Sequence, residues 1–450
     1  MRRIEAWLAG LCLCLPLAAQ QPAATPELRE ILDRLSRLEQ QNRELTEQVR
    51  TLQEQLGVST PAATESVTSA PLAERVEVAE RRVADLEQTH VATENRLPIS
   101  LTGMLLFNSF LNGPASGGAQ YPLVASATGR SATGGATFRQ TVIGLRADGP
   151  TVLGGGKVRG SIFMDFFSGN SGLAQTMRVR TANIEVAWKR TTVGVAFDKP
   201  LIAQRDPDSL AQVGVSPLTA SGNLWLWQPQ IRLEQRANWN ANGGVKAQFS
   251  VYQTSESGTG LSTLYGDSLA TARPGYETRI ELWKSSGTRR VEIAPGFHGS
   301  STRVVGRSAP SRIGSVDWLI RPFSKVQLTG TYFFGQNNGV IGGLRQGVTV
   351  FEGAGGIYNV RAVRSQGGWA QLKLTATKRT SFNLFGGQQD DRNRDLLRDG
   401  IFKNQTYGAN LMHRWGPNLM MSFETSETRT TYSTGTRLNH HYDLAFAYLF

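Results

Sequence analysis

The chain has 450 residues, of which 19% are charged, 48 are Gly and 2 are Cys. Past residue 20 it contains no run of about 18 apolar residues, which excludes a protein that crosses a membrane with helices. Cys12 and Cys14 both lie in the first 14 residues, so the rest of the chain has no disulfide, no thiolate metal site and no cysteine nucleophile.

The formal net charge of +12 is unevenly distributed along the chain. Residues 1–98 hold 11 Lys+Arg and 15 Asp+Glu, and residues 99–450 hold the other 37 and 21, so the two parts carry −4 and +16. In a cytosolic chain such a basic surplus favours nucleic acid as the partner, but in an exported chain it favours anionic solutes or lipid headgroups.

The chain begins with a segment typical of a secretory signal peptide, which we expect over residues 1–19. Arg2 and Arg3 precede an apolar stretch that ends in the small residues Ala18 and Ala19. The sequence therefore predicts an exported protein, and we expect no nucleic-acid partner.

A heptad repeat over residues 27–56 predicts an N-terminal α-helical coiled coil. Asn42 occupies a core position, where a misaligned partner would bury its amide unpaired, so it fixes the register. The number of helices, two or three, is left open, and a single amphipathic helix is the alternative. A Pro/Ser/Thr/Ala-rich linker follows over 57–71, and a second, weaker helical or coiled-coil segment covers 72–97.

Beyond Pro98 the apolar residues recur at every second position, which is the period of β-strands. Ile231 and Leu233, for example, lie on one face of a predicted strand, and Arg232 and Glu234 lie on the other. The strands are about ten residues long, enough to cross a bilayer when tilted. A soluble β-sandwich has the same alternation, so the period alone leaves both folds open.

Two further features favour a membrane-spanning barrel. Short connectors such as NANGG and RPFSK alternate with long Gly/Ser-rich loops. Aromatic residues recur at strand ends, as in the girdles that barrels place at the two membrane interfaces. The predicted girdle residues are Phe138, Trp188, Trp239, Tyr276, Trp283, Trp318, Trp369, Tyr407, Trp415 and Tyr442.

The predicted fold is an all-β transmembrane β-barrel over residues 99–450, with about sixteen antiparallel strands. An even number of strands places both ends of the barrel on the same side. The last strand ends at Phe450 and resembles the C-terminal aromatic signal by which outer-membrane barrels are recognised for assembly. The strands are expected near 101–111, 137–147, 157–167, 178–188, 191–198, 228–239, 245–253, 276–285, 291–297, 313–321, 325–335, 367–378, 380–390, 404–415, 418–430 and 439–450.

Four segments resemble the DcaP-like porins: FRQTVIGLRA (138–147), GKVRGSIFMDFFSG (156–169), MRVRTANIEVAW (177–188) and LWQPQIRLEQ (226–235). The resemblance implies a trimeric outer-membrane channel with about sixteen strands per barrel and a periplasmic coiled coil. It also implies uptake of small negatively charged molecules such as dicarboxylates. The phosphate-selective porins share this layout and are the family most easily confused with it.

One position departs from the family pattern. The second strand of the family tends to read RQSRFGLK, whereas the segment from Arg139 to Arg146 reads RQTVIGLR, so Val142 stands where the second Arg is expected. One basic side chain expected in the lumen is therefore missing, and the substrate of the family is not carried over unaltered.

A channel performs no covalent chemistry, because its selectivity depends on the width and the potential of its lining. Arg suits carboxylate or phosphate recognition, since its planar guanidinium can bond both oxygens. The alternative is that the lining charges pair with one another and brace the wall. The predicted lumen cations are Arg146, Arg159, Arg232, Arg236, Lys246, Arg279 and Lys373, and the acidic residues on the same face are Asp165, Glu185, Glu234, Glu277 and Glu281.

Residues 199–227 form a long connection between the fifth and sixth predicted strands. In general porins the loop at this position folds inward and narrows the channel. On that interpretation Arg205, Asp206, Asp208 and Gln212 form the constriction. The alternative is an external loop that packs at a trimer interface or forms a lid.

The sequence thus predicts a porin, a passive channel for small anionic solutes, in the outer membrane of a Gram-negative-type bacterium, with its coiled coil in the periplasm. The expected partners are further copies of the chain in a homotrimer, outer-membrane lipids, small anions and, through the coiled coil, peptidoglycan. We expect no enzymatic activity, cofactor or metal. The alternatives are a structural connector between the outer membrane and peptidoglycan, a general or sugar-permeable porin, and a barrel hydrolase.

Overall fold

The computed structural model describes Gln40 and residues 98–129, 131–168, 175–254 and 273–450. The predicted signal peptide (1–19), coiled coil (27–56), linker (57–71) and second helical segment (72–97) lie outside the described residues, apart from Gln40. The strands are β1 (Ile99–Asn112), β2 (Thr133–Thr137), β3 (Val142–Val152), β4 (Gly156–Ser168), β5 (Thr176–Ala187), β6 (Thr191–Asp198), β7 (Gln228–Asn240), β8 (Gly243–Gln253), β9 (Pro274–Ser286), β10 (Arg289–Val304), β11 (Arg307–Phe323), β12 (Val326–Gln336), β13 (Val348–Glu352), β14 (Tyr358–Ala362), β15 (Arg364–Thr375), β16 (Thr380–Asp391), β17 (Ile401–Arg414), β18 (Leu419–Tyr432) and β19 (Gly435–Leu449).

Short 3-10 turns accompany the strands. They lie at Leu153–Gly155, Leu201–Ala203, Asn338–Ile341, Ala354–Gly356 and Asn393–Asp395. In the described part of the chain, no helix is long and apolar enough to cross a membrane.

The strands form one antiparallel sheet that closes on itself. Strands that follow one another in the chain pair, except that β12 pairs with β15. β1 pairs with β19 from Met104 opposite Leu449 to Asn112 opposite His441. β2 and β3 both pair with β1 and are two halves of one interrupted strand. The seventeen strands of the sheet therefore make a sixteen-stranded barrel, which confirms the predicted number. The additional hairpin β13–β14, inside the β12–β15 connection, was not predicted.

The barrel has the opposite polarity to a soluble protein. On β1, Leu105 and Leu111 are 47% and 65% exposed, whereas the alternate residues Leu106 and Asn108 are fully buried. The same alternation around the sheet exposes apolar side chains on the outer wall and buries polar ones on the inner wall. A soluble sandwich would reverse this arrangement, so the structure favours the membrane-spanning alternative.

The two ends of the barrel differ in their connections. At one end, which we call the short-turn end, hairpins such as β7–β8 and β9–β10 are joined by two residues each, and β1 begins and β19 ends there. At the other end, the long-loop end, residues 113–132, 199–227 and 337–347 form extended connections. The alternation of short and long connectors predicted from the sequence is therefore present except at β10–β11 and β18–β19, where two-residue turns close the long-loop end.

Two predicted girdle aromatics lie on the inner wall instead. Trp369 is 3% exposed and packs with Leu218 and Phe385, because its position pairs with the inward Thr331. Trp283 pairs with the inward Glu292 across β9 and β10. An aromatic residue near a strand end belongs to a girdle only when its register points it outward, and these two do not meet that condition.

Candidate pore and its inward loop

Residues 199–227, which we call the inward loop, lie inside the barrel. Their contacts are with side chains of the inner wall, and most of them are buried. Backbone carbonyls of the loop accept hydrogen bonds from wall amides: Leu210 from Asn108 at 2.8 Å and Asp208 from Asn410 at 2.8 Å. The loop therefore follows the wall past several strands and occupies part of the lumen.

Arg205 ties the start of the inward loop to β10 and β11. Its guanidinium donates to Asp317 and to Glu292, each at 2.6 Å. Asp317 also accepts two hydrogen bonds from Arg279, which in turn donates to Glu281 at 2.8 Å. None of the five side chains is more than 12% exposed, and each has a partner of opposite charge. The cluster therefore holds the loop without an unpaired buried charge.

A second ionic cluster holds the middle of the loop. Asp165, fully buried on β4, pairs with Arg178 at 2.8 Å and with Arg180 at 3.0 Å on β5. The same two arginines donate to the backbone carbonyls of Gly214 and Val213. The loop is thus held near its start and again at its midpoint by arginine–carboxylate groups on different parts of the wall.

Arg178 and Arg180 were not among the predicted lumen cations. A β-bulge on β5 explains the omission, because Thr181 pairs with Phe163 while Val179 pairs with Met164, which leaves Arg180 as the extra residue. Both arginines therefore face inward, as does Glu185 further along the strand. Strict alternation would place Arg178 and Arg180 on the face opposite to Glu185, and the bulge removes this conflict. The Arg-x-Arg spacing was the only sequence signal that could have identified them.

Between these two ionic clusters, the inward loop is held by polar contacts with β15. Asp208 accepts a hydrogen bond from Gln371 at 2.8 Å and pairs with Lys373 at 3.2 Å. Asp206 is exposed and pairs with Lys199 of the same loop at 2.6 Å. Of the residues predicted at the constriction, Arg205, Asp206 and Asp208 thus lie inside the barrel.

Gln212, the fourth residue considered for the constriction, is only 1% exposed, so its side chain is buried. It does not face the aqueous lumen. Its backbone N–H donates to the hydroxyl of Ser209, which itself bonds the carboxylate of Glu424 at 2.7 Å.

Apolar contacts complete the attachment of the loop. Leu210 packs with Leu106 and Met412 on the inner wall. Ile202 packs with Phe333 and with Ile341 of the β12–β15 connection. These clusters lie inside the barrel at positions where an open channel would be lined with polar groups, so they restrict the lumen to the space that the loop leaves.

All seven predicted lumen cations lie on the inner wall, but most of them are paired. Arg279 and Arg232 bond Asp317 and Asp198 at 2.7 Å and 2.8 Å. Arg146 differs from the others, since it is exposed, stacks on Phe163 at 5.6 Å and forms no ion pair within the described residues. The remaining four pairs are Arg159–Asp148 at 3.8 Å, Arg236–Glu234 at 2.6 Å, Lys246–Glu281 at 3.3 Å and Lys373–Asp208 at 3.2 Å.

At the short-turn end, three more inner-wall cations have no ion-pair partner in the described part of the chain. They are Lys157, Arg321 and Arg414. Lys157 lies two positions before the inward Arg159 on β4. Arg321 pairs with the inward Arg290, and Arg414 pairs with the inward Met420. Among the inner-wall carboxylates of the described residues that have no ion pair, only Glu185 reaches the lumen. The others, Asp391, Glu424 and Asp443, are at most 2% exposed. Accessible unpaired charge on the described inner wall is therefore mainly positive.

Val142, where the family pattern has Arg, faces inward directly opposite Asp165. Arg178 and Arg180 supply the cations that neutralise this carboxylate. The missing arginine on β3 thus leaves no uncompensated buried charge.

The comparisons with known proteins support the architecture. No family model and no curated protein matches this sequence. Among solved structures, the chain is similar to the outer membrane channel DcaP of Acinetobacter baumannii, with a TM-score of 0.64 and 12% identity over 80% of this chain and 100% of that one. The barrel has the fold of that channel.

A second solved structure has the same architecture. The anion-selective porin from Comamonas acidovorans has a TM-score of 0.52 and 12% identity, over 78% of this chain and 99% of that one. At these identities the likeness concerns the fold. The resemblance to DcaP-like porins predicted from the sequence is confirmed at that level.

Proposed function

We propose that this chain is an outer-membrane porin for small anionic solutes of the dicarboxylate or phosphate type. The observation that carries the proposal is the excess of accessible, unpaired cations on the inner wall: Arg146, Lys157, Arg321 and Arg414 against Glu185. A general or sugar-permeable porin has no need of such an excess.

Unpaired cations act on a permeating ion more strongly than paired ones do. A paired arginine presents nearly zero net charge to a passing solute, whereas an unpaired one attracts an anion at 4 Å by about 1 kcal/mol even at the dielectric constant of water. Confinement between protein walls lowers the effective dielectric constant and strengthens this attraction. Arg146 is the first candidate for an anion-binding residue, because it is exposed to the lumen and positioned over Phe163.

We infer that the inward loop sets the width of the pore, with Arg205, Asp206 and Asp208 at the constriction. The support for this role is its attachment to the wall by Arg205, Arg178 and Arg180. Because each attachment is charge-assisted, the loop keeps one position during passage of solute.

The location and assembly of the protein belong to the same proposal. The strand that follows the N-terminal segment begins at the short-turn end, so we assign that end and the coiled coil to the periplasm. We propose a homotrimer, held in part by the coiled coil. Light scattering on detergent-purified protein, with and without heating, tests this: a mass of one barrel per particle before heating contradicts the trimer.

Planar-bilayer recordings test the proposed function. With a KCl gradient across the membrane, we expect a reversal potential of the sign that Cl⁻ preference requires. A reversal potential near zero indicates a general porin, and one of the opposite sign refutes anion preference. Protein that inserts but never conducts supports the structural connector instead. Adding a dicarboxylate or inorganic phosphate to one side distinguishes the two solute classes by the reduction in Cl⁻ current.

A further inference from the structure

The short-turn end carries exposed cations that the pore does not use. The hairpins β9–β10, β11–β12 and β15–β16 follow one another around the barrel. Their turns and adjoining strand ends present five exposed cations, which we call the basic arc. The basic arc consists of Lys284, Arg289, Lys325, Lys378 and Arg379.

The basic arc has no local counter-charge. Residues 284–290, 321–327 and 375–381, which contain it, include no Asp or Glu. Within the described residues, none of the five cations forms an ion pair. This contrasts with the lumen, where most arginines pair with a carboxylate, and it leaves the positive charge of the arc available to a partner outside the barrel.

Two cations of the arc point away from the pore. Lys284 lies directly opposite Val291, which is 40% exposed on the outer wall. Arg289 pairs with Ser286 and shares that outward face, whereas the adjacent Arg290 faces the lumen and bonds Glu292. The partner is therefore expected at the outer rim of the barrel and not in the channel.

Exposed aromatic side chains place the arc at the level of lipid headgroups. Phe323, at the end of β11 and two residues before Lys325, is 60% exposed. On the flanking hairpins β7–β8 and β17–β18, Trp239 and Trp415 are 60% and 61% exposed. Tryptophan on the outer wall of a membrane protein concentrates at the boundary between hydrocarbon and headgroups. Basic side chains at that depth meet phosphate groups before they meet any soluble molecule.

We propose that the basic arc binds the phosphate groups of anionic phospholipids in the leaflet at the short-turn end. The inference depends on the barrel spanning a membrane and not on the solute that it conducts. Basic residues near an anionic surface each strengthen binding by roughly fivefold. With five of them, we expect a preference for anionic over zwitterionic lipid on the order of tenfold or more after competition with salt.

Lipid retention tests the proposal on the full-length protein. Protein is exchanged from detergent into an equimolar mixture of phosphatidylglycerol and phosphatidylcholine with identical acyl chains, and the lipids that remain bound are counted by native mass spectrometry. The test variant changes all five arc residues to Gln. The matched control changes five exposed cations toward the long-loop end to Gln: Arg303, Arg307, Arg312, Arg398 and Arg437.

The expected result is a preference for phosphatidylglycerol in the wild type and in the control, and a ratio near one in the arc variant. Equal retention of both lipids by the wild type overturns the proposal, as does an equal loss of preference in the control. If the arc variant does not fold, the wild type alone decides, because its preference must fall when salt rises from about 50 mM to about 500 mM.

The competing partner is a soluble polyanion, and heparin binding by the same variants tests for it. Loss of heparin binding in the arc variant without loss of phosphatidylglycerol preference assigns the arc to a soluble polyanion and refutes the lipid site. The retention ratio does not depend on conduction, so failure of the porin proposal and failure of this one are distinguishable.

Discussion

The guanidinium of Arg205, near the start of the inward loop, donates a 2.6 Å hydrogen bond to the carboxylate of Asp317 on the barrel wall. Asp317 is 1% exposed, so this contact joins the loop to the wall in a place that water scarcely reaches. It explains why a loop of 29 residues can hold a defined course inside a barrel. The first prediction concerns this contact.

Replacing Arg205 with Ala removes the cation shared by Glu292 and Asp317. We expect the start of the inward loop to detach, single-channel conductance to rise, and the free energy of unfolding to fall by about 3 kcal/mol, as for other broken buried ion pairs. Arg205→Lys should be intermediate, because an ammonium cannot bridge both carboxylates in the same way. Conductance unchanged in Arg205→Ala would mean that the loop does not limit the pore.

Replacing Arg146 with Gln should weaken anion preference. Arg146 has no ion pair among the described residues, so its charge acts on permeating ions in full. We expect the Cl⁻ to K⁺ permeability ratio to fall up to roughly fivefold, equivalent to about 1 kcal/mol. The control is the double variant Arg159→Gln with Asp148→Asn, which removes a mutual pair and leaves the net charge unchanged. An equal effect in that control contradicts a specific role for Arg146.

Replacing Asp165 with Asn should destabilise the barrel, because Arg178 and Arg180 lose their common counter-charge. The expected loss is about 3 kcal/mol, measured by urea unfolding in detergent or liposomes. Asp148→Asn is the matched change on the same wall, where the carboxylate is 89% exposed and its ion pair is 3.8 Å long. It should have no measurable effect on stability. Similar losses in both variants would argue against the ionic anchor.

Replacing Leu233 with Arg tests the outward face of β7. Leu233 is 44% exposed on a wall that we assign to lipid, where a cation costs about 2–4 kcal/mol near the midplane of the bilayer. We expect slower and less complete folding into liposomes. The heat-dependent shift in gel migration measures the folded fraction. Glu234→Gln, on the inward face of the same strand, should fold normally. A soluble, folded Leu233→Arg protein would disprove the membrane-spanning assignment.

Replacing Gly222 with Ala should displace the returning half of the inward loop. Gly222 has a φ of +96°, and a Cβ there would meet the backbone carbonyl of Gly368 on β15. We expect a loss of about 1–3 kcal/mol in stability and faster proteolysis within residues 216–226. Gly416→Ala, at a turn with open space around it, is the control and should behave as the wild type. Identical protease sensitivity of both variants would contradict close packing of Gly222 against β15.

The period of two after Pro98 was sufficient to assign most side chains to one face or the other, and the connector lengths and strand-end aromatics were needed as well to predict a barrel. Arg232 and Leu233 are examples, since alternation along an extended chain is a local property of the backbone. The sixteen strands followed for the same reason. The long connection at 199–227 was also identifiable from its length and position.

The sequence by itself determined which residues alternate, how many strands there are and how much positive charge the barrel carries, whereas strand bounds such as those of β10, predicted at 291–297 and observed at Arg289–Val304, came from the structure. Only the tertiary structure decided that the bulge at Arg180 turns two arginines inward, that Trp369 packs beneath a loop, and which lumen cations remain unpaired. The physical reason is that alternation depends on neighbouring residues in the chain, whereas pairing depends on contacts such as Arg205 with Asp317, which lie 112 positions apart. Such contacts exist only after the sheet has closed and its register has been set.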